Sequence, residues 1–309
     1  MIALTLVVYT AVALAAFGLS YWAFRARTDH SAFVGLYLLF GFPSALLAIS
    51  GVALLVTTGN RLGLLLLLLG FGLGLPLLSP IRRLFAAVTP MDADSPVDMT
   101  GLCLLLVTLA ILIFSISMSS GPPDELPSVR IVDIVLQAAI EVVLAYAAVG
   151  FWFERSLRTA TERLGIVRPT WRMAIGVIGG LVAAMVVYGI AGYVAQVLDP
   201  KIIGELDTVT NEMTAQVQNP IGALVLGASA GIGEEAIFRG ALQPRYGIVL
   251  SSLVFALLHA PQYGFTFAIV GLFGVSVVLG IVRQRYGTTA SMGTHALYNF
   301  LAVMAQAYL

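Results

Sequence analysis

Two histidines, His259 and His295, stand in apolar surroundings in the C-terminal part of the chain, after an adjacent acidic pair, Glu234-Glu235. An ionisable side chain in hydrocarbon costs several kcal/mol, so a membrane chain keeps one only where it pairs, lines a cavity or does chemistry. A carboxylate and two imidazoles could hold a water for hydrolysis, with the carboxylate as general base. Two His and one Glu also form a ligand set of catalytic zinc, with an open position for water. Residue types alone leave both chemistries open.

The acidic pair lies in Gly231-Ile232-Gly233-Glu234-Glu235-Ala236-Ile237-Phe238-Arg239-Gly240. On a helix Glu235 and Arg239 are four apart and face each other, with Glu on the favourable N-terminal side, so they can neutralise one another. Glu234 is rotated about 100° from Glu235 and has no partner in its own helix, which leaves it as the free carboxylate. Phe255 and His259 are also four apart and share a face, as do His295 and Asn299. Lipid offers the last pair no hydrogen bonds, so both side chains need partners from other helices. Glu234, His259, His295 and Asn299 thus fall on three neighbouring helical segments.

The elements that carry them are membrane spans. Hydrophobic residues make up 59% and charged residues 10% of the 309 residues, and the mean hydropathy is +0.97. A soluble domain carries about 25% charged residues. Formal net charge is zero, and no basic cluster suggests nucleic acid. The single Cys103 excludes a disulfide framework and reads as a small buried hydrophobe. Apolar runs of about 20 residues mark ten spans: 2–24, 32–57, 62–78, 99–118, 131–153, 173–198, 219–239, 248–259, 264–282 and 288–308. Residues 79–98 read as a polar loop and Gly121-Pro122-Pro123-Asp124 as a turn. Residues 199–218 carry apolar side chains at helical spacing, as a loop helix or an interfacial helix would. Asn219 and Pro220 are a good N-cap and first residue for the seventh span.

The first basic residues, Arg25 and Arg27, follow the first apolar run, the reverse of a cleaved signal peptide, so that run is expected to be retained. With ten spans and an external N-terminus, the external loops hold only Arg61, Arg130 and Lys201 of the 16 basic residues. The rest fall inside, as the positive-inside rule requires. Glu234 then lies toward the cytoplasmic side. The expected architecture is an all-α polytopic bundle of about ten spans. It divides into an N-terminal transmembrane region (1–198) of unknown role, a loop or interfacial helix (199–218) and a C-terminal core (219–309) whose four helices hold the active site.

Glu-Glu-x-x-x-Arg, Phe-x-x-x-His and His-x-x-x-Asn, in that order on neighbouring spans, resemble the CAAX protease and bacteriocin-processing family, which includes the Rce1-type prenyl-protein endopeptidases. The resemblance covers about residues 221–303. It implies an intramembrane endopeptidase of the cell membrane in which Glu234, helped by His259, activates water. His295 and Asn299 would stabilise the oxyanion, and Glu235, Arg239 and Phe255 would support the site. Family members are often labelled metalloproteases. The Glu/His arrangement resembles a metal-independent glutamate protease, and no cofactor is expected. If a metal were used, it would be zinc on Glu234, His259 and His295. The implied partners are the bilayer and a peptide or protein substrate, with a prenylated C-terminal Cys-a-a-X tail as one form of it.

Two other readings compete. A proton- or cation-coupled transporter would use Glu141, in mid-span, with Glu234 and the histidines. It would show internal repeats and broken helices in both halves, whereas the polar residues here concentrate in one half. A catalytically silent scaffold would not need the complete set of motif residues. Glu141 itself is expected to pair structurally, or to line the substrate cavity.

Overall fold

The computed structural model describes residues 2–118, 128–264 and 266–308. The Gly121–Asp124 turn signal lies outside them. Among the described residues the chain is all helical, with only an isolated bridge between Phe151 and Arg155. The helices are α1 (Ile2–Arg25), α2 (His30–Thr58), α3 (Leu62–Gly74), α4 (Ser79–Ala86), α5 (Pro96–Met118), α6 (Ile131–Ala148) and α7 (Leu157–Arg163), followed by α8 (Trp171–Leu198), α9 (Pro200–Thr214), α10 (Pro220–Glu235), α11 (Gln243–Leu258), α12 (Ala260–Tyr263), α13 (Phe267–Tyr286) and α14 (Thr288–Tyr308). A 3₁₀ turn, Leu75–Leu77, follows α3, and a π-helical segment, Ala236–Leu242, joins α10 to α11.

This is an integral membrane protein. Among the described residues seven helices are long and apolar enough to cross a bilayer, or eight if a bent pair is one span. The difference between ten and eight has two sources. The seventh and eighth apolar runs lie in one stretch, Pro220–Leu258, although the backbone breaks within it at Gly247, between the two runs. And α14, 21 residues long, is not among the helices that meet the hydropathy test, because Thr288, Thr289, Ser291, Thr294, His295, Asn299 and Gln306 dilute its apolar residues. The stretch 79–98 is not all loop. Its first part is α4, which leaves the preceding helix at 84°. Asn219 caps α10 by accepting from Gly222 N at 2.9 Å, with Pro220 in the first turn. Residues 199–218 include the helix α9, capped by Asp199; it buries Ile202 and Val209 and exposes Glu205, Asp207 and Glu212.

The chain forms two compact units, one of residues 18–119 and one of residues 1–17 with 120–309. In the first, α2, α3 and α5 pack together. The buried Arg82 of α4 ties their connection by donating to the carbonyls of Pro76 and Leu77, each at 2.8 Å, and to Ala93 O at 2.6 Å. In the second, α10 is the central helix. It packs on α14 on one side and on α6 on the other, while α8 covers α13 and α14, and α11 lies along α13.

The α10–α14 contact is backbone on backbone. A Cβ on Gly231 would stand 2.7 Å from Met292 O, and one on Gly227 would overlap Ala296 O. Lipid-exposed helices have little hydrophobic drive to associate, so small residues at such faces supply the contact area. This brings Glu235 within reach of α14.

Gly231→Ala should therefore lower the apparent melting temperature in detergent by several degrees, because a methyl group against a fixed carbonyl costs about 1–3 kcal/mol. Gly189→Ala on α8, where nothing lies within 4 Å of the added carbon, is the control that should melt like the wild type. Equal melting of both variants would contradict the close approach.

Candidate active site

Glu235 is the last residue of α10 and is fully buried. Burying a carboxylate costs several kcal/mol unless charges and hydrogen bonds replace its water. Three donors do so. Arg239 Nε lies 3.3 Å from Oε2, Ser291 Oγ donates to Oε2 at 2.5 Å, and His295 Nδ1 meets Oε1 at 3.0 Å. The expected Glu235–Arg239 pair is present. Ser291 was not expected, although it lies four residues before His295 and so faces the same way. Sequence offered that signal, but a serine in an apolar helix is common.

Arg239, 1% exposed, is secured beyond the ion pair. Its Nη2 donates to the carbonyl of Ser276 at 3.1 Å and to the Ser276 hydroxyl at 2.9 Å, both on α13. Its guanidinium lies 4.9 Å from the ring centre of Phe255 and 5.8 Å from that of Phe238, within cation–π range. Nothing in the sequence of α13 marked Ser276 as a partner. Arg239 also lies in the π segment, where the chain departs from the plain helix expected through residue 239.

Phe255 organises the other side. It is buried and packs edge-on against Phe238 at 5.2 Å and against His295 at 5.9 Å, and is tilted against His259 at 4.9 Å. His259, half-buried, follows the last residue of α11. Its Nδ1 lies 2.8 Å from Phe255 O. A carbonyl only accepts, so Nδ1 carries the proton, and Nε2 of the neutral ring keeps its lone pair. α11 reaches this position because the chain breaks at Gly247, which adopts φ 75° and ψ 174°, a conformation open to glycine alone at low cost.

Glu234 differs from its neighbour. It is half-buried, its Oε2 is enclosed, and that atom has no hydrogen-bond partner. It lies within electrostatic reach of His295 and Arg239. Asn299 is half-buried one turn beyond His295 on α14. The structure thus joins Glu235, Arg239, Phe255, His259 and His295 by direct contacts. No hydrogen bond joins Glu234 to His259 or Asn299 among the described residues.

Among the described residues no three His, Cys, Asp or Glu side chains are disposed to hold one metal ion.

Residues 216–301 match the family model described as Type II CAAX prenyl endopeptidase Rce1-like. The match spans α10 to α14 and contains every motif residue named above. The resemblance seen in the sequence is thereby confirmed: the chain carries an Rce1-like segment, and the family is one of endopeptidases. No curated protein and no solved structure matches the chain.

Arg239→Met leaves the Glu235 carboxylate buried without its charge partner and should cost about 3 kcal/mol or more. Glu235→Gln combined with Arg239→Met should cost less than the two changes summed, because neither charge is then stranded. Thermal unfolding of the three purified variants in detergent measures this. Additive losses would mean that the pair is not coupled.

Proposed function

We propose that this protein is an intramembrane endopeptidase in which Glu234 activates water for attack on a peptide carbonyl. The supporting observation is the contrast between two adjacent carboxylates. Glu235 is saturated with donors, while Glu234 carries an enclosed oxygen that no protein group satisfies. An enclosed, unpartnered carboxylate within electrostatic reach of an imidazole suits a base awaiting a water and a substrate.

The remaining roles follow from donor and acceptor chemistry. His259 presents the lone pair of Nε2 and can accept from the N–H of the scissile amide, holding the carbonyl carbon toward the water. His295 presents its Nε2 edge away from Glu235. If that nitrogen is to donate to an oxyanion while Nδ1 is bonded, the ring carries both protons, and Glu235 balances the charge. Asn299 offers a second donor from its amide. As the carbonyl carbon becomes tetrahedral, these preorganised donors take up the developing negative charge. Glu234 takes one proton from water and returns it to the amine as the C–N bond breaks. Arg239 and Phe255 hold His295 and His259 in place. No metal takes part in this scheme.

The substrate class we propose is a protein tail with a prenylated Cys-a-a-X end, on the family's account. The orientation we propose, with the site toward the cytoplasm and the protein in the cell membrane, rests on the distribution of the basic residues.

Purified wild type should cleave a quenched, farnesylated Cys-a-a-X peptide in detergent. Glu234→Ala should lose at least about a hundredfold in kcat while melting as the wild type does. A strong zinc chelator should leave the wild-type rate unchanged. Equal cleavage by wild type and Glu234→Ala would overturn the assignment of the base, and loss of activity to the chelator would overturn the metal-free scheme.

A further inference from the structure

Glu141 lies outside the matched segment, in the middle of α6, and the structure sets it beside the base. Its half-buried side chain reaches across to α10 at Gly233, the residue before Glu234. A Cβ on Gly233 would overlap Glu141 Oε2 and stand 2.8 Å from Ala138 Cα, so the bare glycine is what admits the carboxyl. Gln137, one turn earlier, donates from Nε2 to Oε1 at 2.9 Å and holds the group in that direction. Oε2 has no hydrogen-bond partner among the described residues. Among the described residues no arginine pairs with Glu141, and its structural partner is Gln137. The Glu141 carboxyl is also within electrostatic reach of Glu234 and His295.

The two carboxyls repel each other, and one oxygen of each, Oε2, lacks a donor among the described residues. One water satisfies both, because it has two O–H bonds and can donate one to each. We infer that Glu141 is a further catalytic residue: it accepts the second hydrogen bond of the reacting water and so fixes the direction of the oxygen lone pair that attacks. This rests on the protease reading and deepens it. In the reaction one water proton passes to Glu234 and the oxygen bonds to the carbonyl carbon. The C–N bond then breaks, and the amine leaves with the proton that Glu234 returns. Glu141 exchanges no proton and ends as it began. Precise aim of the attacking atom is worth large factors in rate, and a group that acts on water rather than on substrate shows in kcat rather than in KM.

The test is peptide cleavage by wild type, Glu234→Ala, Glu141→Leu, Glu141→Gln and Gln137→Leu, each checked for wild-type melting. Glu141→Leu, which removes the acceptor at similar volume, should lower kcat about a hundredfold with KM within twofold. Glu141→Gln keeps a carbonyl acceptor and should retain activity within about tenfold of wild type. Gln137→Leu, on an exposed position, should lower kcat several-fold and serves if Glu141→Leu does not fold. Its effect should vanish in the Glu141→Leu background. Wild-type kcat in Glu141→Leu with Glu234→Ala inactive would overturn this inference alone. A change in KM with kcat kept would do the same and would mark Glu141 as a binding residue. Equal activity in wild type and Glu234→Ala would overturn the protease reading and this inference with it.

Discussion

A fully buried carboxylate at Glu235 is the constraint around which the site is arranged. In an apolar interior that charge is tolerable only with a full set of donors. Arg239 from the π segment, with Ser291 and His295 from α14, provides them. Arg239 in turn is tied to Ser276 of α13 and lies on the ring of Phe255 of α11. One charge therefore draws α10, α11, α13 and α14 to a common point. Apolar residues of the same volume could pack as well, but they would not fix a ring. The network sets the orientation of His295 and, through Phe255, the position of His259. A costly buried pair is kept where it orients groups that act on something else.

The backbone departures lie where that arrangement needs them. The π segment follows Glu235 directly, and π-helical insertions concentrate at functional sites because they re-aim side chains without ending the helix. Gly247 then breaks the chain, so α11 lies along α13 and delivers Phe255 and His259 to the face that carries Arg239. Glycines along α10 allow α14 to approach within backbone contact. Without that approach Ser291 and His295 would not reach the carboxylate. Local geometry and electrostatics thus depend on each other: the donors need the close contact, and the contact places polar side chains where only a charge network can satisfy them.

Much of this was legible in the sequence where one helix holds both partners. The Glu235–Arg239 pair, the shared face of Phe255 and His259, and the Asn219 cap follow from a period of 3.6 residues, and each is present. The membrane class followed from composition. What was not legible involves pairs of helices or departures from the period. Ser276 is one hydroxyl in an apolar run, and its role depends on which helix lies opposite. The π segment has no composition of its own. Gly247 and the charged residues around it separate the seventh and eighth runs, and the backbone does break at Gly247; what the sequence hid is that helix continues from residue 240 up to that break. The bend into α4 was hidden because residues 79–98 are polar enough to pass for a loop.

Glu141 shows how far the site extends beyond the segment with a family signature. Glu234 and Glu235 are adjacent, so a helix points them about 100° apart. One faces Arg239, His295 and Ser291, and the other has no partner on α10. On the α6 side, at Gly233, stand Ala138 and Glu141. The wall beside the proposed base is therefore built by a helix that precedes residue 216 and packs in the same compact unit. A matched segment marks where the motif residues lie along the chain. The chemistry they can perform is set by whatever closes the space around them, and here the closing helix brings a carboxylate to it.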